Sequence, residues 1–430
     1  FGNATTEVLQ SLNETQLFFV PCINPDGYIH NQSQDPSGFG MHRKNKNPNV
    51  GTTNPGVDLN RNYSYGWNTT GVSGNVNNDT YPGSNAFSEP ETQAIKWLVE
   101  SVGFTSAFNA HTYGNTLLYP IGTTTAEFAD HNDYFADLAG HMCSKNGYFP
   151  QKSSGLYPAS GDSDDYMYKV DIGVGQKDTV FAITPEIGTG FWPAQSEVIP
   201  TCQEMVFPNM VLSHMTHQYY IVDETDPNSV VSMTGNFNHD ALRLGREDGN
   251  VTVSIEPLVN IQSVGAPINY NLVLRESASN AISFVLEPTI QFGDEIKYIL
   301  KTEYLGWTRK DTITKKYGAL TTQFVEDGTS AANWTGNWTT TTSDFVSSPR
   351  SFTDGSGDYS SNTNKTTQFN QVIDLTNALD AEVSFYAKWE IEADYDYCQF
   401  QVSTDGGNSW IGQCGNYTVP GTSASGSVQP

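Results

Sequence analysis

The chain has 430 residues, past the size at which one hydrophobic core stops growing, so two or three domains are expected. Its 47 acidic residues against 21 basic ones give a formal charge of −26, which repels nucleic acid and anionic membranes and argues against polyanionic partners. No run approaches the roughly 18 uncharged apolar residues of a membrane span, and the aromatic content is too high for disordered sequence, so the chain reads as soluble and globular.

The chain opens on Phe1 without an apolar leader and closes on a Ser- and Gly-rich run, so both ends read as cut. Five cysteines (Cys22, Cys143, Cys202, Cys398, Cys414) include no C-x-x-C pair, which argues against a cysteine-built metal or redox site. Cys398 and Cys414 flank an expected hairpin at a spacing open to a bridge; the other three stay unassigned.

Leu17 to Ile23 reads as a buried strand ending in the turn cluster Asn24-Pro25-Asp26-Gly27. A helix is expected from Ser88: Ser88 and Glu91 have capping-box spacing, Pro90 sits in the first turn, and Ile95, Leu98 and Val99 form an apolar stripe. Phe104 to Ala110 then reads as a strand delivering His111, and Thr179 to Thr184 as another delivering Glu186. This alternation predicts an α/β fold over residues 1–222, a mixed, mostly parallel sheet with flanking helices and a site at the C-terminal strand ends.

From residue 223 the texture changes. Val251 to Ile255, Tyr270 to Leu274 and Tyr298 to Thr302 are short alternating segments that predict a β-sandwich over 223–318. Trp-, Thr- and Gly-rich sequence follows, with strands expected at Glu382 to Trp389 and at Cys398 to Ser403, the latter joined to Trp410 through Asp405-Gly406-Gly407. Residues 319–430 therefore read as a second all-β module, of jelly-roll type and cut short.

The strongest local chemistry is Asp58-Leu59-Asn60-Arg61-Asn62. Arginine offers a planar fork of donors and a neighbouring asparagine adds one more without charge, a pair suited to a carboxylate. Around it lie, in order, Asn24-Pro25-Asp26-Gly27; His42-Arg43-Lys44-Asn45; the Asp58–Asn62 run; His111-Thr112-Tyr113 before Leu118-Tyr119-Pro120; and Tyr157-Pro158-Ala159-Ser160-Gly161, followed by Pro185-Glu186-Ile187-Gly188. In that order and at those spacings, residues 1–222 resemble the M14 zinc carboxypeptidases, the funnelin type related to carboxypeptidases A and B.

The resemblance implies a secreted metallocarboxypeptidase that takes Zn2+ as cofactor and acts on the C-termini of peptides and proteins. It implies His111 as the third zinc ligand, bound as neutral imidazole. Glu186 becomes the general base, passing a proton from the attacking water to the leaving amine. Arg43 polarises the scissile carbonyl, Asn60 and Arg61 clamp the terminal carboxylate, and Tyr157 closes over it from a mobile loop. Tyr113 lines the cleft, and Asp58 orients a zinc-bound histidine. Asp164 stands where the basic-specific relatives carry an acidic residue and Asp162 adds a second carboxylate, which implies basic or mixed C-terminal preference.

One departure is clear. The family carries a His-x-x-Glu motif upstream that supplies the other two ligands, and counting back from Arg43 passes residue 1. No histidine here is followed three places later by Glu. The expectation is that a segment before Phe1 supplies the pair and that this chain alone is inactive; His214 and His217 are read as packing residues. The C-terminal modules resemble the MAM and immune-inhibitor-A-like β-modules of secreted bacterial peptidases, through Val383 to Trp389 and Val402 to Trp410. Surface or glycan contact is the role they suggest, and Asp394 and Asp396 are read as solvated rather than as a calcium site. The rival functions are an inactive pseudo-peptidase acting as an adhesive protein and a cell-wall peptide hydrolase.

Overall fold

The computed structural model describes residues 6–169, 177–304, 307–319, 321–343, 345–355, 357, 360, 363–378, 381–387 and 398–413. They form two units, one of Phe1–Asp226, Met233–Glu287 and Lys297–Thr314, the other of Pro227–Ser232, Pro288–Ile296 and Lys315–Pro430.

In the first unit the chain runs α1 (Thr6–Glu14), α2 (Pro25–Gln34), α3 (Pro90–Val102), β1 (Ser106–Phe108), β2 (Thr116–Tyr119), α4 (Asn132–Cys143), β3 (Phe149–Lys152), α5 (Ser153–Leu156), α6 (Ser163–Tyr168), β4 (Phe181–Glu186), α7 (Gln195–Glu204) and α8 (Val206–His214). The sheet order is β1-β4-β2-β3. β1 with β4 and β2 with β3 are parallel, and β2 with β4 is antiparallel. This is the mixed, mostly parallel sheet that the sequence predicts.

β4 is buried from Phe181 to Pro185 because both faces are covered, as its apolar run requires. Val180 and Ala182 pack with Tyr63, Phe87, Ile95, Val99, Tyr166 and Met167. Phe181, on the opposite face, meets the rings of Tyr134, Phe135 and Tyr168.

Two expectations fail here. Leu17 to Ile23 forms no strand, and Phe19 is 80% exposed. An extended segment becomes a strand only beside a partner, and among the described residues the sheet ends at β1 with only the Phe18 ring resting on Phe104. The capping box is also absent, and the helix starts at Pro90 with Glu89 as N-cap. Ser88 Oγ is engaged by Asn62 Nδ2 and Glu89, and Glu91 by Asn45, so neither is free to cap. The buried stripe at Ile95 and Val99 is as expected.

The chain continues into strands β5 (Tyr220–Glu224), β6 (Ser229–Val230), β7 (Thr234–Arg243), β8 (Val251–Val259), β9 (Ile261–Val264), β10 (Ile268–Tyr270), β11 (Ser277–Leu286), β12 (Glu295–Tyr304) and β13 (Trp307–Tyr317), of which β6 and the ends of β12 and β13 belong to the second unit. β5-β7-β11-β9 form one sheet, and β8 pairs with β10 and β12 in another. Residues 270–274 contribute only Tyr270 to a strand. Alternation buries Phe237, His239, Ala241 and Arg243 on β7, and Tyr298, Leu300 and Thr302 on β12. Phe237 stacks on Phe284 and Tyr298 at 4.2 Å.

These strands seat directly on the α/β part. Tyr134 Oη donates to Leu244 O (2.8 Å), Arg275 Nε pairs with Asp137 (2.7 Å), and Arg246 lies 4.1 Å over the Phe181 ring. His214 stacks on Tyr219 and His217 bonds Thr15, so both histidines serve packing.

In the second unit Lys316–Tyr317 pair with Ser229–Val230. The described remainder is three short antiparallel pairs: β14 (Trp334–Gly336) with β17 (Thr367–Phe369), β15 (Thr339–Thr341) with β16 (Ser351–Thr353), and β18 (Gln401–Val402) with β19 (Ile411–Gly412). The expected Cys398–Ser403 strand shrinks to β18, and 382–387 is not a strand. Asp405 organises the β18–β19 turn by accepting from the Asn408 and Ser409 amides. Lys388, Trp389, Asp394, Asp396 and Cys414 lie outside the described residues.

Candidate active site

The motifs act first on one another. Asn24 caps α2 through Gly27 N and donates to the carbonyls of Arg43 (3.2 Å) and Lys44 (3.0 Å), which fixes the segment bearing Arg43. Asn45 exchanges hydrogen bonds with Val57, setting the approach to Asp58. Gly56 is required there: it has φ 110° and a Cβ would fall 1.9 Å from Asn45 O. Asp58 Oδ1 then caps the 3-10 turn Leu59–Arg61 by accepting from Asn60 N at 3.2 Å.

Arg61 is buried, yet its partners are backbone carbonyls alone, Asn60 O (2.6 Å) and Gly71 O (3.2 Å). Among the described residues no carboxylate lies within ion-pair distance of it. Asn60 is oriented by Ser163 N, which donates to its Oδ1 at 3.1 Å. Gly161 makes that approach possible, with φ 71° and no room for a Cβ within 2.4 Å of Arg61 O.

His111 and Glu186 face each other across an isolated parallel bridge, with His111 N donating to Pro185 O (2.9 Å) and Ile187 N to His111 O (2.9 Å). Burial, followed by the Arg43 and Arg61 charges, pushes the His111 pKa down to about 4, so the ring is neutral and its lone pair available. Burial pushes Glu186 up to about 7 against the pull of Arg43. Arg43 is half-exposed and reaches Asp58 Oδ2 at 2.9 Å. Tyr113 and Tyr157 are exposed, Tyr113 edge-on to Phe191 and Tyr157 in extended backbone after α5.

Asp162 caps α6 by accepting from Asp165 N at 2.8 Å. Asp164 is buried between Asn109 Nδ2 and Thr184 Oγ1, each donating at 2.6 Å. Burial lifts its pKa to about 7, with Asp165 and Glu186 adding and the two hydrogen bonds opposing. The chain thus brings together Arg43, Asp58, Asn60, Arg61, His111, Glu186 and the Asp162–Asp165 turn.

Sequence reading missed Asn109, Thr184 and Asp165. The first two were within reach of strand parity, since Asn109 lies two before His111 and Thr184 two before Glu186, on the same faces. As to metal, neutral His111 fits as one ligand, while the described residues contain no group of three His, Cys, Asp or Glu side chains able to hold an ion.

Residues 3–207 match the family model Peptidase_M14, zinc carboxypeptidase. A zinc carboxypeptidase of Simulium vittatum is 32% identical over 221 residues, 46% of this chain and 69% of that protein. Carboxypeptidase B of Bos taurus is 30% identical over 219 residues, 49% of this chain and 51% of that protein. Among solved structures, thrombin activatable fibrinolysis inhibitor aligns at 23% identity and TM-score 0.42, over 49% of this chain and 55% of that one. The chain spans about half the length of the mammalian relatives it matches.

Proposed function

The chain belongs to the zinc carboxypeptidase family, and from that premise we propose that the whole protein is a secreted metallocarboxypeptidase removing single residues from peptide C-termini. Arg61 carries the reading: a buried guanidinium without a carboxylate of its own fits a substrate's terminal carboxylate, and Asn60 adds a neutral donor beside it. Glu186 moves the proton from attacking water to leaving amine, and a pKa about 7 suits a base that must also act as an acid. Arg43 meets the charge developing on the carbonyl oxygen. Tyr157 and Tyr113 border the entry, and Asp58 steadies Arg43 and the clamp turn.

His111 would hold Zn2+ together with ligands not among the described residues, and the ion when bound would supply Lewis acidity. The acidic turn at Asp162 and Asp164 supports a preference for basic or mixed C-terminal residues. No helix among the described residues is long and apolar enough to cross a membrane.

The test is digestion of free and C-terminally amidated peptides by the full-length protein, read by mass spectrometry. Stepwise loss of C-terminal residues from the free peptides only, abolished by a chelator and restored by zinc, is expected. Internal cleavage or equal attack on amidated peptides would reject the reading. Cleavage confined to muropeptides would favour a cell-wall hydrolase, and no cleavage the adhesive pseudo-peptidase.

A further inference from the structure

β4 ends at Glu186, and the contacts made by the chain just beyond it set where that carboxyl stands. The sheet holds the near side. Glu186 pairs with Thr116 of β2, which pairs in turn with Phe149 of β3, so the three residues lie in one row. Ile187 N donates to His111 O at 2.9 Å, and two residues past Glu186 the chain turns at Gly188 (φ 79°), whose carbonyl accepts from Gly114 N at 3.0 Å.

The Gly188 amide has a partner of another kind. It donates to the phenolic oxygen of Tyr148 at 3.3 Å, and Tyr148 is buried, immediately before Phe149. An N–H can only donate, so the Tyr148 hydroxyl keeps its own proton for Glu204 Oε2, at 3.1 Å. Asn146 closes the arrangement: its Oδ1 accepts from Tyr148 N (3.1 Å), and its Nδ2 donates to Glu204 O (3.3 Å) at the last residue of α7. A directed chain therefore runs from the turn after Glu186, through the phenol, to the end of α7. A carboxylate at its far end polarises the phenol and makes its oxygen a better acceptor for the amide. Burial raises the Tyr148 pKa, against the Gly188 amide and with Glu204 adding, so the hydroxyl stays protonated and the chain keeps its direction.

Resting on the carboxypeptidase reading, we propose that Tyr148 is a positioning residue for that reaction: its phenolic oxygen, backed by Glu204, holds the Gly188 amide and so keeps the Glu186 carboxyl within reach of the attacking water.

No bond is made or broken in this contact and no proton moves. It acts through geometry, and a displacement on the order of 1 Å at a catalytic group is enough to cost a large factor in rate. The loss should fall on kcat rather than KM, because the clamp is held separately, Asn60 by Ser163 and Arg61 by the Asn60 and Gly71 carbonyls.

The experiment compares two Tyr→Phe variants of the full-length protein, each losing one phenol that accepts a backbone amide. Tyr148→Phe releases Gly188; Tyr220→Phe releases Leu272, whose amide donates to Tyr220 Oη at 3.0 Å in the antiparallel β-region. Both should lower the denaturant midpoint by a similar small amount. On peptides with a free C-terminus, Tyr148→Phe should lower kcat about tenfold or more and leave KM within about twofold, while Tyr220→Phe leaves both near the parent values. Glu204→Gln keeps an acceptor for the phenol and should retain most of kcat, with Glu204→Ala falling between it and Tyr148→Phe. Hydrogen exchange read by mass spectrometry should quicken in the segment after Glu186 in Tyr148→Phe and not in Tyr220→Phe. Parent-like kcat in Tyr148→Phe, or an equal loss in the two Phe variants, overturns the proposal and leaves the carboxypeptidase reading standing. If the parent hydrolyses no peptide, that reading falls and takes the catalytic role of Tyr148 with it, while the exchange data still decide whether Tyr148 holds the turn.

Discussion

Two buried arginines of the first unit invite comparison. Arg243, at the end of β7, gives Nη1 to Asp248 (2.6 Å) and Leu272 O (2.9 Å) and Nε to Gly245 O (3.0 Å). Arg61, equally buried, has two backbone carbonyls and no carboxylate. A buried cation is stable only when neutralised. The antiparallel β-region supplies the anion from its own chain; the candidate site holds the guanidinium in place without one. The same contrast separates carboxylates, since Asp164 is buried among neutral donors whereas Asp248 meets a cation.

The largest effect should come from Arg61→Ala. A terminal carboxylate that loses its bidentate partner forfeits roughly 3–4 kcal/mol, or a drop in kcat/KM of about 100- to 1000-fold. Stability should fall by no more than about 1–2 kcal/mol, because the Asn60 and Gly71 carbonyls lose their donor while an unpaired buried charge is removed. Denaturant midpoints and peptide kinetics on the full-length protein read both, and a large loss of stability would mean that Arg61 is structural, like Arg243.

Next comes pH. Asp164 titrates at about 7 in the folded chain and near 4 when unfolded. The folded state therefore binds more protons between these values, and stability, complete below about pH 4, is lost as pH rises toward 7. The shift corresponds to about 2–4 kcal/mol. Asp164→Asn should flatten that slope in chemical denaturation, and an unaltered slope would show Asp164 to be ionised without cost.

The comparison was partly legible in the sequence. Asn60, Arg61, His111 and Glu186 could be singled out because their motifs stand in the order of the family they resemble, and their roles are those proposed above. Leu17 to Ile23 could not be placed, since a strand is defined by its neighbour rather than by its own alternation. The Ser88–Glu91 box had correct spacing but lost both side chains, Ser88 to the adjoining Glu89 and to Asn62, 26 residues away, and Glu91 to Asn45, 46 residues away. The unequal surroundings of Asp162, Asp164 and Asp165 were likewise invisible, because Thr184, Asn109 and Gly122 reach them only in three dimensions.

Arg243→Met should cost about 2–3 kcal/mol by stranding the Gly245 and Leu272 carbonyls. Asp248 is almost fully exposed and regains water, so its charge adds little to that loss. Denaturant unfolding checks the size, and peptide kinetics should hold near the parent value, the reverse of Arg61→Ala.

The smallest effect tests whether the antiparallel β-region merely adjoins the α/β part or also steadies it. Arg246 lies 4.1 Å over Phe181 on β4, five residues before Glu186, and its amide donates to Met215 O at 2.9 Å. A partly desolvated cation–π contact is worth about 1 kcal/mol, so Arg246→Ala should lower Tm by a few degrees, with Arg246→Lys recovering part of it. The backbone bond survives either change, so the loss belongs to the side chain. If kcat falls as well while KM holds, the contact steadies the strand that presents Glu186. If Tm alone moves, the antiparallel β-region acts on this unit through stability, and β4 keeps its place by its own burial.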